Sequence, residues 1–184
     1  MGGALLLVAC VPSEMPGTDQ GSHHFTGVLL ENSCGPSAVP AESIIEMNVQ
    51  LRRDGALGLW RRPGAPLIYG SAQDDGGYRF QLGSTVGVYE YDPVTNTGPC
   101  SLDQYETITI EVVESDDEEE GIRYEGTSEV RFAPSSGSDC SPSLAAFGGP
   151  FLQMPCGVEY ELQSEAIDTI FPGEEEPETQ ETSE

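Results

Sequence analysis

The residue types that could carry out chemistry are few and lie far apart in this chain. The two histidines, His23 and His24, are adjacent, and the only tryptophan is Trp60. Four arginines flank that tryptophan in sequence: Arg52, Arg53, Arg61 and Arg62. The cysteines are Cys10, Cys34, Cys100, Cys140 and Cys156. These groups suggest, in turn, acid–base or metal chemistry, a binding surface, and thiol or disulfide chemistry.

The surroundings of the histidines do not favour catalysis or metal binding. The sequence contains no Gly-x-Ser-x-Gly elbow, no His-Glu-x-x-His motif, no Walker loop and no dinucleotide fingerprint. Adjacent side chains on a strand point to opposite faces, so His23 and His24 cannot chelate one ion there. The serines of residues 135–138 have no base nearby in sequence. We therefore predict a protein that is not an enzyme and has no cofactor and no metal site.

An acidic run at residues 114–120 is the remaining candidate for cation binding. On the spacing of an EF-hand loop, Asp116, Glu118 and Glu120 take the first three ligand positions. Thr127 then stands where the bidentate glutamate is required. Because the flanking segments alternate like strands, we predict a solvated hairpin tip at these residues.

The Trp60–arginine group is the most suggestive candidate for a binding surface. A three-residue turn ending at Gly55 would pair Leu51 with Leu57 and keep the apolar residues of the hairpin together. That register places Trp60 on the solvent face beside Arg61. Tryptophan and arginine are enriched at binding hot spots, so a carboxylated or sugar-like ligand or an acidic partner would suit this patch. Pairing of the arginines with nearby acids is the alternative that we favour.

Hydrophobic alternation predicts the fold. Ile45, Met47, Val49 and Leu51 alternate with polar residues, and the same period of two recurs at 78–82, 107–112, 122–132 and 158–162. Each such segment has one apolar and one polar face, which is typical of antiparallel sheets. We therefore predict an all-β fold, an antiparallel sandwich or small barrel of about eight to nine strands.

The charge balance excludes two kinds of partner. The chain has 32 acidic and 7 basic residues, with a formal net charge of −25 at pH 7. Nucleic-acid binding depends on neutralisation of phosphates by cations, so nucleic acid is a poor partner. An anionic lipid surface would also repel this chain, and any membrane attachment must therefore be covalent.

The start of the chain supplies such an attachment. An apolar run from Ala4 to Ala9 ends at Cys10, and Leu7-Val8-Ala9-Cys10 resembles the lipobox of bacterial lipoproteins. The resemblance implies that the Cys10 thiol receives a diacylglyceryl group and becomes the mature N-terminus, which is held in the cell envelope. Val11 in place of an aspartate favours the outer membrane in that family. No basic residue precedes the run, so we expect the signal peptide to begin upstream of this start.

The other four cysteines form an even number that can close two disulfides outside the cytoplasm. Cys140 and Cys156 flank a long connection rich in Ser, Gly and Pro, and we predict that they pair. By elimination Cys34 would pair with Cys100, although four cysteines allow three connectivities.

The predicted organisation has four parts: the signal peptide end at 1–10, a flexible tether at 11–22, a disulfide-stapled β domain at 23–164 and an acidic disordered tail at 165–184. The function we expect is that of a lipid-anchored cell-envelope protein, a non-enzymatic binding or structural module for an unknown envelope partner. The alternative is a carrier of a small ligand. A carrier requires an empty apolar pocket lined by residues such as Phe80, Ile110 and Phe132.

Overall fold

A computed structural model of the chain describes residues 16–94, 97–113 and 121–168. The eight strands of this part form one closed antiparallel barrel, in which each strand pairs with the next and the last pairs with the first. The predicted all-β class is confirmed, as a small barrel. The strands are β1 (Thr18–Asn32), β2 (Ile44–Asp54), β3 (Leu57–Arg61), β4 (Ile68–Ala72), β5 (Tyr78–Tyr89), β6 (Cys100–Val113), β7 (Arg123–Pro134) and β8 (Cys156–Ile167).

Alternate side chains of each strand point into the barrel and form its apolar core. Phe80 opposes Ile108, and Tyr78 opposes Ile110, across the β5–β6 ladder. The buried members of the main cluster are Phe25, Val49, Leu51, Trp60, Ile68, Tyr78, Phe80, Ile108, Ile110, Tyr124, Val158, Tyr160 and Leu162. The alternation of the sequence therefore corresponds to the inner and outer faces of one wall.

The strands extend beyond the predicted limits of the domain. β1 begins at Thr18, inside the segment 11–22 that we predicted to be a tether, and β8 continues to Ile167, past residue 164. Thr18 pairs with Arg53, and Arg52 donates hydrogen bonds to the carbonyls of Pro16 and Gly17. Backbone pairing therefore orders a polar segment that has little apolar surface to bury. The lipobox, the acidic run at 114–120 and the tail from residue 169 lie outside the described residues.

The β2–β3 hairpin differs from our predicted register. Asp54 pairs with Leu57 and Leu51 pairs with Trp60, so the loop consists of Gly55 and Ala56. Gly55 has a φ of 60°, and a positive φ at the first loop position belongs to the two-residue turns whose twist matches that of the strands. Leu57 is 48% exposed while Trp60 is buried. Burying the larger aromatic ring removes more apolar surface from water than burying the leucine would.

The disulfide connectivity also differs from our prediction. Cys34 is bonded to Cys156, and Cys100 is bonded to Cys140, with Cα atoms 4.9 Å apart in each pair. The reason is strand adjacency: Cys34 follows β1 and Cys156 begins β8, and these two strands are neighbours in the closed barrel. Likewise, Cys100 begins β6 and Cys140 follows β7, and these two strands are also neighbours. The long connection after β7 is therefore tied to β6 rather than to its own far end.

The two disulfides form the centre of a second apolar cluster at one end of the barrel. Its buried members are Cys34, Cys100, Leu102, Cys140, Phe151 and Cys156. Val39, from the β1–β2 connection, packs against both this cluster and the main core. The connections after β1 and β7 therefore cover this end of the barrel.

The wall on the β3–β4 side is short. β3 and β4 have 5 residues each, and the β4–β5 ladder ends at the pair Gly70–Phe80. Among the described residues, positions 81–89 of β5 therefore have a ladder only with β6, and positions 44–49 of β2 have one only with β1.

Peptide mapping of the oxidised protein should show the disulfide connectivity of the barrel. Trypsin cleaves after arginine and cyanogen bromide after methionine, so together they place the four bonded cysteines on fragments 16–47, 80–123, 132–154 and 155–184. We expect 16–47 linked to 155–184, and 80–123 linked to 132–154, by mass spectrometry without reduction. A link between 16–47 and 80–123 would contradict the strand adjacency described above.

Candidate functional site

The structure separates the residues of the predicted Trp60–arginine patch. Trp60 is fully buried, and its ring lies 5.0 Å from that of Phe25 and 5.3 Å from that of Phe80. The tryptophan is therefore a central core residue and not part of a surface, because the hairpin register points it into the barrel.

The four arginines lie on different sides of the wall. Arg52 pairs with Leu59 across the hairpin and binds backbone carbonyls at the start of β1. Arg53 donates to the carbonyl of Gly55, and its charge acts on the phenols of Tyr78 and Tyr124. Arg61 and Arg62 are half-buried. Arg62 comes two residues after Trp60, which points inward, so the strand pattern places Arg62 on the inner side. The five residues do not form one contact surface.

The histidine pair points to opposite faces, as predicted for adjacent residues on a strand. His24 lies on the outside, where its Nδ1 is 2.7 Å from the side-chain oxygen of Asn48. His23 is buried inside the barrel, which we had not predicted. Its Nε2 is 3.2 Å from the carbonyl oxygen of Gln20, and its Nδ1 has no hydrogen-bond partner. The spacing of two between His23 and Phe25 is the sequence signal that could have placed it in the core.

His23 belongs to a polar and aromatic layer at the end of the barrel opposite the disulfides. Its ring meets that of Tyr124 edge to face, with centroids 5.0 Å apart. The ring of Tyr124 also meets that of Tyr78, with centroids 6.0 Å apart. Burial lowers the pKa of His23 and raises the pKa of both tyrosines, because each group would lose hydration in its charged form. The layer is therefore uncharged at neutral pH.

The side chains that would line a carrier's pocket are packed against other side chains. Phe80 and Ile110 are fully buried in the main cluster, where the ring of Phe80 also stacks on that of Tyr78 at 6.0 Å. Phe132 packs instead against the disulfide cluster. The protein's own aromatic rings thus occupy the level of the barrel at which a carrier would hold its ligand.

A concavity of about 210 Å³ lies on the outer surface where β1, β7 and β8 meet. Glu159 is directly opposite Glu31 on one side and Glu129 on the other, and all three line the concavity. Arg131 offsets part of this charge through a 2.6 Å contact with Glu129. Like charges opposed across strands repel, so this face is a region of strong negative potential.

The described residues contain neither a membrane-spanning helix nor a group of metal-ligating side chains. No helix in residues 16–94, 97–113 and 121–168 is long and apolar enough to cross a bilayer. In the same part of the chain, no three or more His, Cys, Asp or Glu side chains are grouped so that they could hold a metal ion. The acidic run at 114–120, our other candidate for cations, is outside these ranges.

Comparison with known proteins identifies no relative of this chain. No protein-family model matches the chain, and it matches none of the curated proteins and none of the solved structures. The residues and their geometry are therefore the basis for a functional proposal.

Replacing Trp60 tests its place in the core. We expect Trp60→Ala to lower the free energy of unfolding by about 3–5 kcal/mol, because it leaves a cavity between Phe25 and Phe80. The control is Tyr69→Ala, at a position that is 58% exposed on the neighbouring strand, which should change stability by about 0.5 kcal/mol or less. Urea denaturation measures both values. Equal stability of Trp60→Ala and the parent would contradict the hairpin register.

The buried imidazole predicts a loss of stability in mild acid. The pKa of His23 is lowered from 6.5, so the unfolded chain takes up this proton at a higher pH than the folded one. The free energy of unfolding should therefore fall as the pH drops below 6.5 toward the folded pKa.

We expect His23→Phe to flatten the profile of unfolding free energy between pH 7 and pH 5, measured by urea titration at each pH. Phe25→Leu is the control, since it perturbs the same layer but keeps the imidazole. It should lower the whole profile without changing its slope. A slope that survives His23→Phe would assign the acid sensitivity to other groups.

Proposed function

We propose that this protein is a lipid-anchored component of a bacterial cell envelope, in which the barrel is a non-enzymatic binding or structural module. The observation that carries the proposal is the use of the cysteines. Four of the five are bonded in two disulfides, and the fifth, Cys10, closes the apolar run that resembles a lipobox. Structural disulfides persist in oxidising compartments, outside the cytoplasm.

A covalent anchor agrees with the charge of the protein. A net charge of −25 opposes adsorption to anionic lipid, so an acyl group on Cys10 would have to hold the barrel at the membrane. Residues 11–17 connect that cysteine to Thr18, the first residue of β1, and these eight residue steps can span at most about 29 Å. The barrel would then lie close to the headgroups. The absence of aspartate at Val11 favours the outer membrane.

The surroundings of the titratable side chains favour a module without catalytic activity. The hydrogen bonds of the two imidazoles are to the Gln20 carbonyl and the Asn48 amide, rather than to a nucleophile. Catalysis by a serine or cysteine depends on a base within reach of that nucleophile.

The carrier alternative has less support. A closed barrel can enclose a small ligand. In this chain, however, Phe80 and Ile110 are buried against other side chains of the core, and Trp60 occupies the centre. We therefore favour recognition by the outer surface or by a strand edge.

Phase partitioning tests the anchor. The protein produced with its native signal sequence should enter the detergent phase of Triton X-114, because acylated Cys10 carries hydrocarbon chains. Cys10→Ser should stay in the aqueous phase while keeping both disulfides and the circular dichroism spectrum of the parent. The mass of the amino-terminal peptide should show a diacylglyceryl group on Cys10. An unmodified peptide that begins at Met1 would refute the proposal.

A further inference from the structure

The edge of β5 that faces away from β6 is open. Within the described residues, positions 81–89 have no ladder on that side, since the β4–β5 pairing stops at Phe80. Side chains on both faces of this stretch are exposed, including Val86 at 51% and Val88 at 42%. A Cβ atom added to Gly87 would meet nothing within 4 Å, so the face of the sheet at this position is also uncovered.

An open edge of this length offers unsatisfied backbone N–H and C=O groups to any extended chain. Natural proteins usually protect such edges with charged side chains or proline. Residues 81–89 contain neither, although they belong to a very acidic chain. The other open stretch, positions 44–49 of β2, carries Glu46. β5 is thus the unprotected edge of the two.

We propose that this edge pairs with the same edge of a second copy of the chain, in antiparallel orientation, to form a two-fold symmetric dimer. In a two-fold symmetric contact the same patch lies on both sides, so any charges within the patch would face like charges of the other copy. On the β7–β8 face such a contact would bring Glu129 and Glu159 toward carboxylates of the other copy. The β5 edge brings together only neutral side chains.

The net charge of −25 does not prevent this contact. Charges further apart than about 8 Å are largely screened at physiological ionic strength, so the local charge decides whether two copies can approach. Asp103 lies on β6, one strand away from the edge. Thr85 and Ser135 donate hydrogen bonds to its carboxylate at 2.8 and 2.7 Å, and these bonds stabilise its charge.

The symmetry predicts which residues meet. The two-fold axis is perpendicular to the paired strands and lies between Thr85 of one copy and Thr85 of the other. With this axis, the inner faces of the two sheets are on the same side. Ser84 then lies opposite Val86 of the second copy. The exposed Val86 side chain would be covered, and the sheets of the two barrels would become continuous through the paired β5 strands. This inference does not depend on the lipid anchor.

Sedimentation analysis of the full chain tests the proposal. Cys10→Ser serves as the parent, so that no acyl group contributes to association. We expect a reversible dimer at high micromolar concentrations. Ser84→Glu combined with Val86→Glu places carboxylates opposite each other at two symmetric positions and should weaken the dimer at least about tenfold. Its circular dichroism spectrum should match that of the parent, because both positions are exposed in the monomer.

Charge reversal at one of the two positions identifies the register. Ser84→Lys combined with Val86→Glu places opposite charges across the axis and should restore the dimer. Val28→Glu combined with Leu30→Glu is the matched control: it adds two charges, also two residues apart, at positions 47% and 56% exposed on β1, which does not pair with β5, and should leave the dimer unchanged.

A parent chain that remains monomeric would overturn the proposal and would leave the edge for an extended segment of another protein. A dimer that persists in the double glutamate variant would also overturn it. Failure of the lysine–glutamate variant to restore the dimer would overturn the pairing centred on Thr85.

Discussion

The pairing of β1 with β8 is the constraint on which the rest of the structure depends. This ladder runs from the pair Ser22–Ile167 to the pair Asn32–Val158 and joins the first and last strands of the described chain. Because β1 also pairs with β2, the sheet closes on itself and its inner face becomes a core surrounded by wall on all sides at the level of Trp60. Closure also brings Cys34 beside Cys156, which fixes the disulfide pattern.

Closure divides the interior into layers of different character. Rings from Phe25, Trp60 and Phe80 fill the middle, and the disulfide cluster covers one end. The other end contains His23 against Tyr124, where burial keeps polar groups in their neutral forms. The outside of the barrel presents a carboxylate-rich face on β7–β8 and a neutral edge on β5.

The sequence predicts the inner and outer faces of single strands well and the relations between strands poorly. Alternation in segments such as 45–51 is a local property, so it identified the β class and most of the core. The hairpin register required a choice between Leu57 and Trp60, and a one-residue difference in turn length changed the face of the tryptophan. The disulfide pairing followed sequence distance in our prediction but strand adjacency in the structure. The burial of His23 was not predicted. A polar residue next to a predicted tether gave no reason to extend the inward-facing pattern of Phe25 back by two residues.

The two ends of the barrel differ in how they would respond to mechanical load. The chain enters at Thr18 and leaves at Ile167 on one side, while both disulfides lie at the opposite side. A pull on the amino-terminal end of β1 must break its hydrogen bonds to β2 and β8. Unravelling from that end then stops at Cys34, because its covalent bond to Cys156 ties the loosened segment to the wall. The Cys34–Cys156 disulfide thus limits how much of the barrel a force applied at Thr18 can unfold.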